Sequence, residues 1–149
     1  MGRIALTSFI ILAAILGVSG IDPASAQTRY FRVCPGQTSA SCGSPNDFVV
    51  ALVTQQQLQM ADDILSGKIT DQVHVQGTIV PQPAPYNAPW QFYLDPNSIS
   101  FFTLGHPLCW GFSTMDVNSN LSKIGSPDFL PDKTWCPRGY RISEEVHPK

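Results

Sequence analysis

The sequence predicts an α+β fold, a small, mainly antiparallel sheet with one clear helix and one possible short helix, and three observations carry that reading. Short apolar or alternating runs at residues 30–33, 48–53, 72–80, 90–94 and 99–104 have strand character and follow one another through brief turn-forming stretches. A single strongly amphipathic segment comes after the second run. Four cysteines, Cys34, Cys42, Cys109 and Cys136, provide for two disulfide staples. Runs of strands with one helix among them make an α+β domain rather than an alternating βαβ fold.

Residues 30–33 read as a short strand, and Phe48-Val49-Val50-Ala51-Leu52-Val53 is an uncharged run suited to a central strand. Thr54 followed three residues later by Gln57 has the form of a capping box, in which both side chains satisfy backbone amides at a helix start. Leu58, Ala61, Ile64 and Leu65 then share one helical face, Asp62 and Asp63 lie off it as a solvated face, and Gly67 supplies a left-handed stop. Val73, Val75, Gly77 and Ile79 alternate with His74, Gln76 and Thr78, the pattern of a half-buried strand with His74 on its polar side.

Prolines at 81, 83, 85 and 89 interrupt any ladder and force an extended surface connection. Trp90, Phe92 and Leu94 alternate with Gln91 and Tyr93 as a strand whose apolar side is core. Asp95-Pro96-Asn97-Ser98 is a turn, leading into residues 99–104 as a tight antiparallel hairpin. Val117, Leu121 and Ile124 fall at helical spacing between Thr114 and Gly125. Residues 129–131 and 135–137 read as irregular cover for the core, and 140–142 as a last edge strand.

The chain divides at residue 26. Arg3, an apolar run from Ile4 to Val18 and the small residues of Ala24-Ser25-Ala26 stand in the order of a secretory signal peptide over 1–26, with cleavage expected before Gln27. An uncleaved anchor is the weaker reading, because about 20 residues are needed to span a bilayer. Residues 27–149 then form one domain, secreted or periplasmic, with no stable membrane anchor. The full chain's nine basic and eleven acidic residues lose Arg3 and Asp22 on cleavage, so the net charge stays at −2. With only 13% charged residues and no basic stripe, nucleic acid is excluded as a partner.

An even cysteine count in an exported chain argues for disulfides. Three connectivities exist; Cys34 with Cys42 and Cys109 with Cys136 is favoured, since Pro35-Gly36 turns the chain between the first pair. A zinc site on His106, Cys109 and Cys136 competes weakly, for want of a Cys-x-x-Cys pair. Cofactors are expected to be none.

No catalytic constellation stands out. Gly111-Phe112-Ser113-Thr114-Met115 is half of a nucleophile elbow and lacks the second glycine, so Ser113 reads as a helix-start residue. His74, His106 and His147 are far apart, and Asp128 and Asp132 lack the spacing of a calcium loop. The richest stretch is Pro85-Tyr86-Asn87-Ala88-Pro89-Trp90-Gln91-Phe92-Tyr93-Leu94-Asp95-Pro96, where aromatics on a proline-stiffened loop offer contact area at low entropic cost. Tyr86, Asn87, Tyr93 and Asp95 are the candidate ligand-binding residues; Trp90 and Phe92 are core.

Four motifs in this order resemble the N-terminal domain family of the calmodulin-binding protein BP-seventy-four: Ala61-Asp62-Asp63-Ile64-Leu65-Ser66-Gly67, His74-Val75-Gln76-Gly77-Thr78-Ile79-Val80, Tyr86-Asn87-Ala88-Pro89-Trp90-Gln91-Phe92-Tyr93-Leu94-Asp95-Pro96-Asn97-Ser98-Ile99-Ser100-Phe101-Phe102, and Phe129-Leu130-Pro131-Asp132-Lys133-Thr134-Trp135-Cys136-Pro137. In the family pattern a His stands at Tyr93, and Glu-x-Cys-Asp stands where this chain has Pro107-Leu108-Cys109-Trp110. A site built on that polar trio is therefore reduced here to its cysteine, and the resemblance implies no catalytic residue. Calmodulin binding through a target helix is not expected either. Such helices are basic and amphipathic, whereas the segment from Thr54 to Ser66 carries Asp62 and Asp63 and no Lys or Arg. The expectation is a secreted, non-catalytic binding or interaction domain for an unknown protein or small-molecule ligand. The alternatives are a hydrolase with an unrecognised site and a protease inhibitor presenting the 81–98 loop.

Overall fold

A computed structural model describes residues 27–36, 42, 43, 45–103, 111–137 and 139–148. Strand β1 (Arg29–Pro35) is the centre of the first sheet, with β2 (Phe48–Leu52) and β7 (Tyr140–Val146) antiparallel on either side of it. The run at 48–52 is therefore an edge strand and not the central one its composition predicts. Register explains how its apolar residues are still covered: Val33 opposes Phe48 and Phe31 opposes Val50, so one face of the sheet is continuously apolar. Phe31, Val33, Phe48, Val50, Leu52 and Ile142 are all buried on it. A shift in the β1–β7 register between Arg32 and Val33 marks a bulge.

The second sheet is organised by β3 (Val73–Val80), which pairs antiparallel with β4 (Tyr93–Leu94), β5 (Ser100–Thr103) and β6 (Thr134–Trp135). The tight hairpin expected between 90–94 and 99–104 does not form. Instead both segments address β3: Ile79 opposes Leu94 and Gln76 opposes Ser100, three residues along β3 against six along the partner. A 3-10 turn at Pro96–Ser98 absorbs the three extra residues, with the Asp95 carboxylate accepting from the Asn97 amide as its cap. Gly77 suits the place where this turn meets β3, because a Cβ there would lie a tight 3.2 Å from Leu94 Cβ and 3.3 Å from Ser98 Oγ. Val73, Val75, Gly77 and Ile79 are buried as the alternation predicts. His74, expected on a solvated face, is buried too, its ring 5.4 Å from that of Phe102.

Trp135 holds the layers together. Expected as irregular cover, it is fully buried in β6, with ring centroids 4.9 Å from Phe48, 5.6 Å from Phe92 and 6.1 Å from Tyr140. Its indole N–H donates to the Phe112 carbonyl at 2.9 Å, so burial leaves no orphan donor.

Helix α1 (Gln55–Leu65) begins with the predicted box at Thr54 and Gln57 and ends before Gly67, whose φ of 74° is in the left-handed region. Leu58, Ala61 and Ile64 are buried, whereas Leu65, assigned to the same face, is exposed. Gln57 does more than cap. Its buried Oε1 accepts from the Val53 and Thr54 amides at 2.9 and 3.0 Å, while Nε2 donates to the Pro96 and Ile99 carbonyls at 2.8 and 2.9 Å. Asp62 is not merely solvated: Arg29 bridges it, at 2.8 and 3.0 Å, to Glu145 at 2.7 and 2.8 Å, tying helix, β1 and β7. That guanidinium holds the Glu145 carboxyl below its usual range.

The second helix, α2 (Thr114–Ser119), is shorter than the predicted 114–125 and passes into a 3-10 turn at Leu121–Lys123. Ser113 caps it reciprocally with Asp116, as a helix-start residue. Among the cysteines, Cys34 and Cys42 are bonded, with Cα atoms 5.4 Å apart. Cys136 is buried and likewise not a free thiol; its expected partner Cys109 and the rival ligand His106 lie outside the described residues, as does the segment 1–26. Among the described residues, no helix is long and apolar enough to cross a membrane.

Losing the four Gln57 bonds should be costly. Gln57→Ala strands two amides and two carbonyls and should destabilise by about 2–4 kcal/mol in denaturant titration, since each buried group left unpaired costs roughly 1–3 kcal/mol. Gln59→Ala, on the exposed side of the same turn, should stay within about 0.5 kcal/mol. Equal, small losses in both variants would show that Gln57 only caps.

Candidate functional site

The proline-rich segment between β3 and β4 is anchored from below by apolar and amide groups. Ala84, Trp90, Phe92 and Leu94 are buried, and the Trp90 indole N–H donates to the Asp47 carbonyl at 2.7 Å. Pro85–Asn87 forms a 3-10 turn, in place of the wholly extended run predicted, and Pro at its first position suits that start. At its end, Asn87 is 1% exposed. Its Oδ1 accepts from the Val49 amide on the outer edge of β2 at 2.7 Å, and its Nδ2 donates to the Phe92 carbonyl at 2.9 Å. Expected to contact ligand, Asn87 has its amide committed at both ends and belongs to the scaffold.

This anchoring places Tyr86 against two other tyrosines. Its ring centroid is 4.9 Å from Tyr30 on β1, inclined at 43°, and 6.4 Å from Tyr93 on β4, nearly perpendicular at 70°. All three rings are half-buried, and among the described residues none of their hydroxyls has a protein hydrogen-bond partner. Burial, with Tyr93, Tyr30 and Asp95 contributing, pushes the Tyr86 phenol up to about 12. Asp95 is half-buried at the Tyr86 end of the turn, with one oxygen occupied by the Asn97 amide at 3.0 Å. Of the four sequence candidates, Tyr86, Tyr93 and Asp95 are thus brought together.

Tyr30 is the member that sequence reading missed. Its signal was available: as the neighbour of core residue Phe31 on a strand, it had to point to the opposite face. Arg32 lies two residues on, but Glu144 holds it at 2.6 Å and the buried Asp47 carboxylate approaches at 3.8 Å. On the other side of the segment, Pro83, Pro85, Pro89 and Trp90 line a shallow recess of about 300 Å3. Among the described residues, no three His, Cys, Asp or Glu side chains gather as metal ligands.

Rings and proline walls on a pre-set loop give this small disulfide-stapled α+β domain an aromatic surface. The model of one family, described as the BP-seventy-four N-terminal domain, matches residues 27–149. The chain belongs to that family. Comparison with curated proteins and with solved structures returned no match.

The Tyr86 environment is testable by alkaline titration. A phenol whose folded pKa is raised stabilises the fold fully below its unfolded value near 10 and loses that contribution as pH rises toward 12. Absorbance of the tyrosinate band should show a late phase from Tyr86. Tyr86→Phe should remove that late phase and flatten the fall in stability over the same interval. An unchanged titration in Tyr86→Phe would place the late phenol elsewhere.

Proposed function

We propose that this protein is an exported, non-catalytic binding domain whose contact surface is the Tyr30, Tyr86 and Tyr93 cluster on and beside the Pro81 to Ser98 segment. One observation carries the reading: three half-buried phenols, without partners among the described residues, stand on a surface whose loop is already shaped by Asn87, Trp90 and Phe92. A loop ordered before contact loses little further entropy on association. Tyrosine supplies broad area and a polar tip with few rotatable bonds, the chemistry that recurs at energetic centres of interfaces. Export is supported by the signal-like order of residues 1–26, by the family match beginning at Gln27 directly after Ala24-Ser25-Ala26, and by the Cys34–Cys42 bond. An inhibitor reading fits less well, because a 3-10 turn with a buried asparagine does not offer the extended strand that protease clefts take.

Protein-observed NMR with a fragment library tests the surface directly, whatever the natural ligand. Hits should shift the amides of Tyr30 and of residues 83–95, and Tyr86→Ala and Tyr93→Ala should lose them while remaining folded. Trp90→Ala should instead cost about 3–5 kcal/mol of stability, as truncation of core aromatics does. Hits that gather on the opposite face, or that survive both tyrosine variants, would overturn the proposal. N-terminal sequencing of protein recovered outside the cell should begin at Gln27.

A further inference from the structure

We propose that the Tyr30, Tyr86 and Tyr93 rings together with Asp95 recognise a methylated organic ammonium group. The inference rests on the binding-surface reading above and names the ligand class for it. Ring faces carry the negative part of the aromatic quadrupole, and a cation within about 6 Å of a centroid is attracted to them. Here the rings are inclined at 43° and 70° to their common neighbour, at 4.9 and 6.4 Å, so they offer walls in different directions and not a flat stack. A compact cation can touch more than one such wall.

Charge supports the same class. Asp95 is near enough for its charge to act on the Tyr86 phenol, and one of its oxygens is taken by the Asn97 amide, a bond that fixes its position while leaving its charge. The nearest strand-face cation, Arg32, is engaged by Glu144 and Asp47 and sits over none of the three rings; the arginine that does stack on a ring, Arg29, lies over Phe31 at 5.1 Å. The Tyr86 phenol, like an ordinary tyrosine with a pKa of about 10, is neutral at physiological pH, and burial only moves it further from ionisation. A bare ammonium is strongly hydrated and loses that water at a cost. A trimethylammonium group carries its charge behind apolar methyls, which suits a half-buried aromatic surface with one carboxylate. A neutral sugar could stack on the same rings and donate a hydroxyl to Asp95, but its binding would not depend on a positive charge.

Choline and its uncharged carbon isostere, 3,3-dimethylbutanol, separate charge from shape in a titration of the purified protein followed by NMR. Choline should bind about 3- to 30-fold more tightly, the range that a cation over aromatic faces contributes, with shifts centred on Tyr30, Tyr86 and Tyr93. Tyr86→Leu should abolish saturable choline binding. Asp95→Asn retains an oxygen for the Asn97 amide, so the turn should persist, and it should weaken choline several-fold while leaving the isostere unchanged. Phosphocholine tells a lipid headgroup from a free ammonium: its binding relative to choline reads the source, and either preference supports the class. Equal affinity for choline and the isostere, or choline binding indifferent to Asp95→Asn, would overturn the inference. Neutral fragments bound at the tyrosines without any response to choline would also overturn it, while leaving the binding surface itself standing. An absence of any ligand at these rings in a folded protein would remove both.

Discussion

The side-chain amide of Asn87 is the constraint on which the surface depends. It closes a bond to the edge of one sheet through the Val49 amide and to the strand leading into the other through the Phe92 carbonyl. Pro85 and Pro89 on either side have no amides to offer, and the remaining amides of Asn87 and Trp90 are turned inward to the loop's own carbonyls, so no backbone ladder makes this connection. A buried amide with both ends satisfied substitutes for it, at the expense of tolerating almost no other residue. Tyr86 is the residue before Asn87, and its meeting with Tyr30 and Tyr93 follows from that placement.

Gln57 solves the same problem between helix and sheet. Its four bonds join the start of α1 to the turn that precedes β5, and so fix the helix against the β3 sheet. Arg29 adds a more exposed clasp among β1, α1 and β7. Exposed pairs of that kind add little stability individually, though a guanidinium held by two carboxylates in forked geometry fixes orientation well. Around these polar joints the apolar centre is small and aromatic, with Trp135 touching Phe48, Phe92 and Tyr140.

Period and capping chemistry made much of the fold legible in the sequence. The box at Thr54 and Gln57, the stop at Gly67, the alternation from Val73 to Ile79 and the turn at Asp95 all rest on local rules, and each appears where those rules place it. What failed was non-local. The partner of residues 99–104 is β3 and not the preceding segment, a choice made by register against a distant strand. Trp135 sits in two residues of strand flanked by irregular chain, too short for any periodicity to show. Alternation alone puts His74 toward solvent, yet Phe102 from β5 packs beside it. At the site, Tyr86, Tyr93 and Asp95 were visible as a local aromatic stretch, whereas Tyr30 reaches them only through folding, and the burial of Asn87 reflects a bond to a strand 38 residues away.

The edge position of β2 has a consequence of its own. The hexapeptide Phe48-Val49-Val50-Ala51-Leu52-Val53 is uncharged, free of proline and rich in β-branched residues, the composition from which cross-β zippers assemble. On an edge it would present unpaired amides to any other chain. The 3-10 turn at Pro85–Asn87 lies against β2, and Asn87 occupies the Val49 amide that a second strand would need. The segment that carries the tyrosines therefore also occupies part of that edge, and changes that loosen it would free the Val49 amide as well as disperse the aromatic surface.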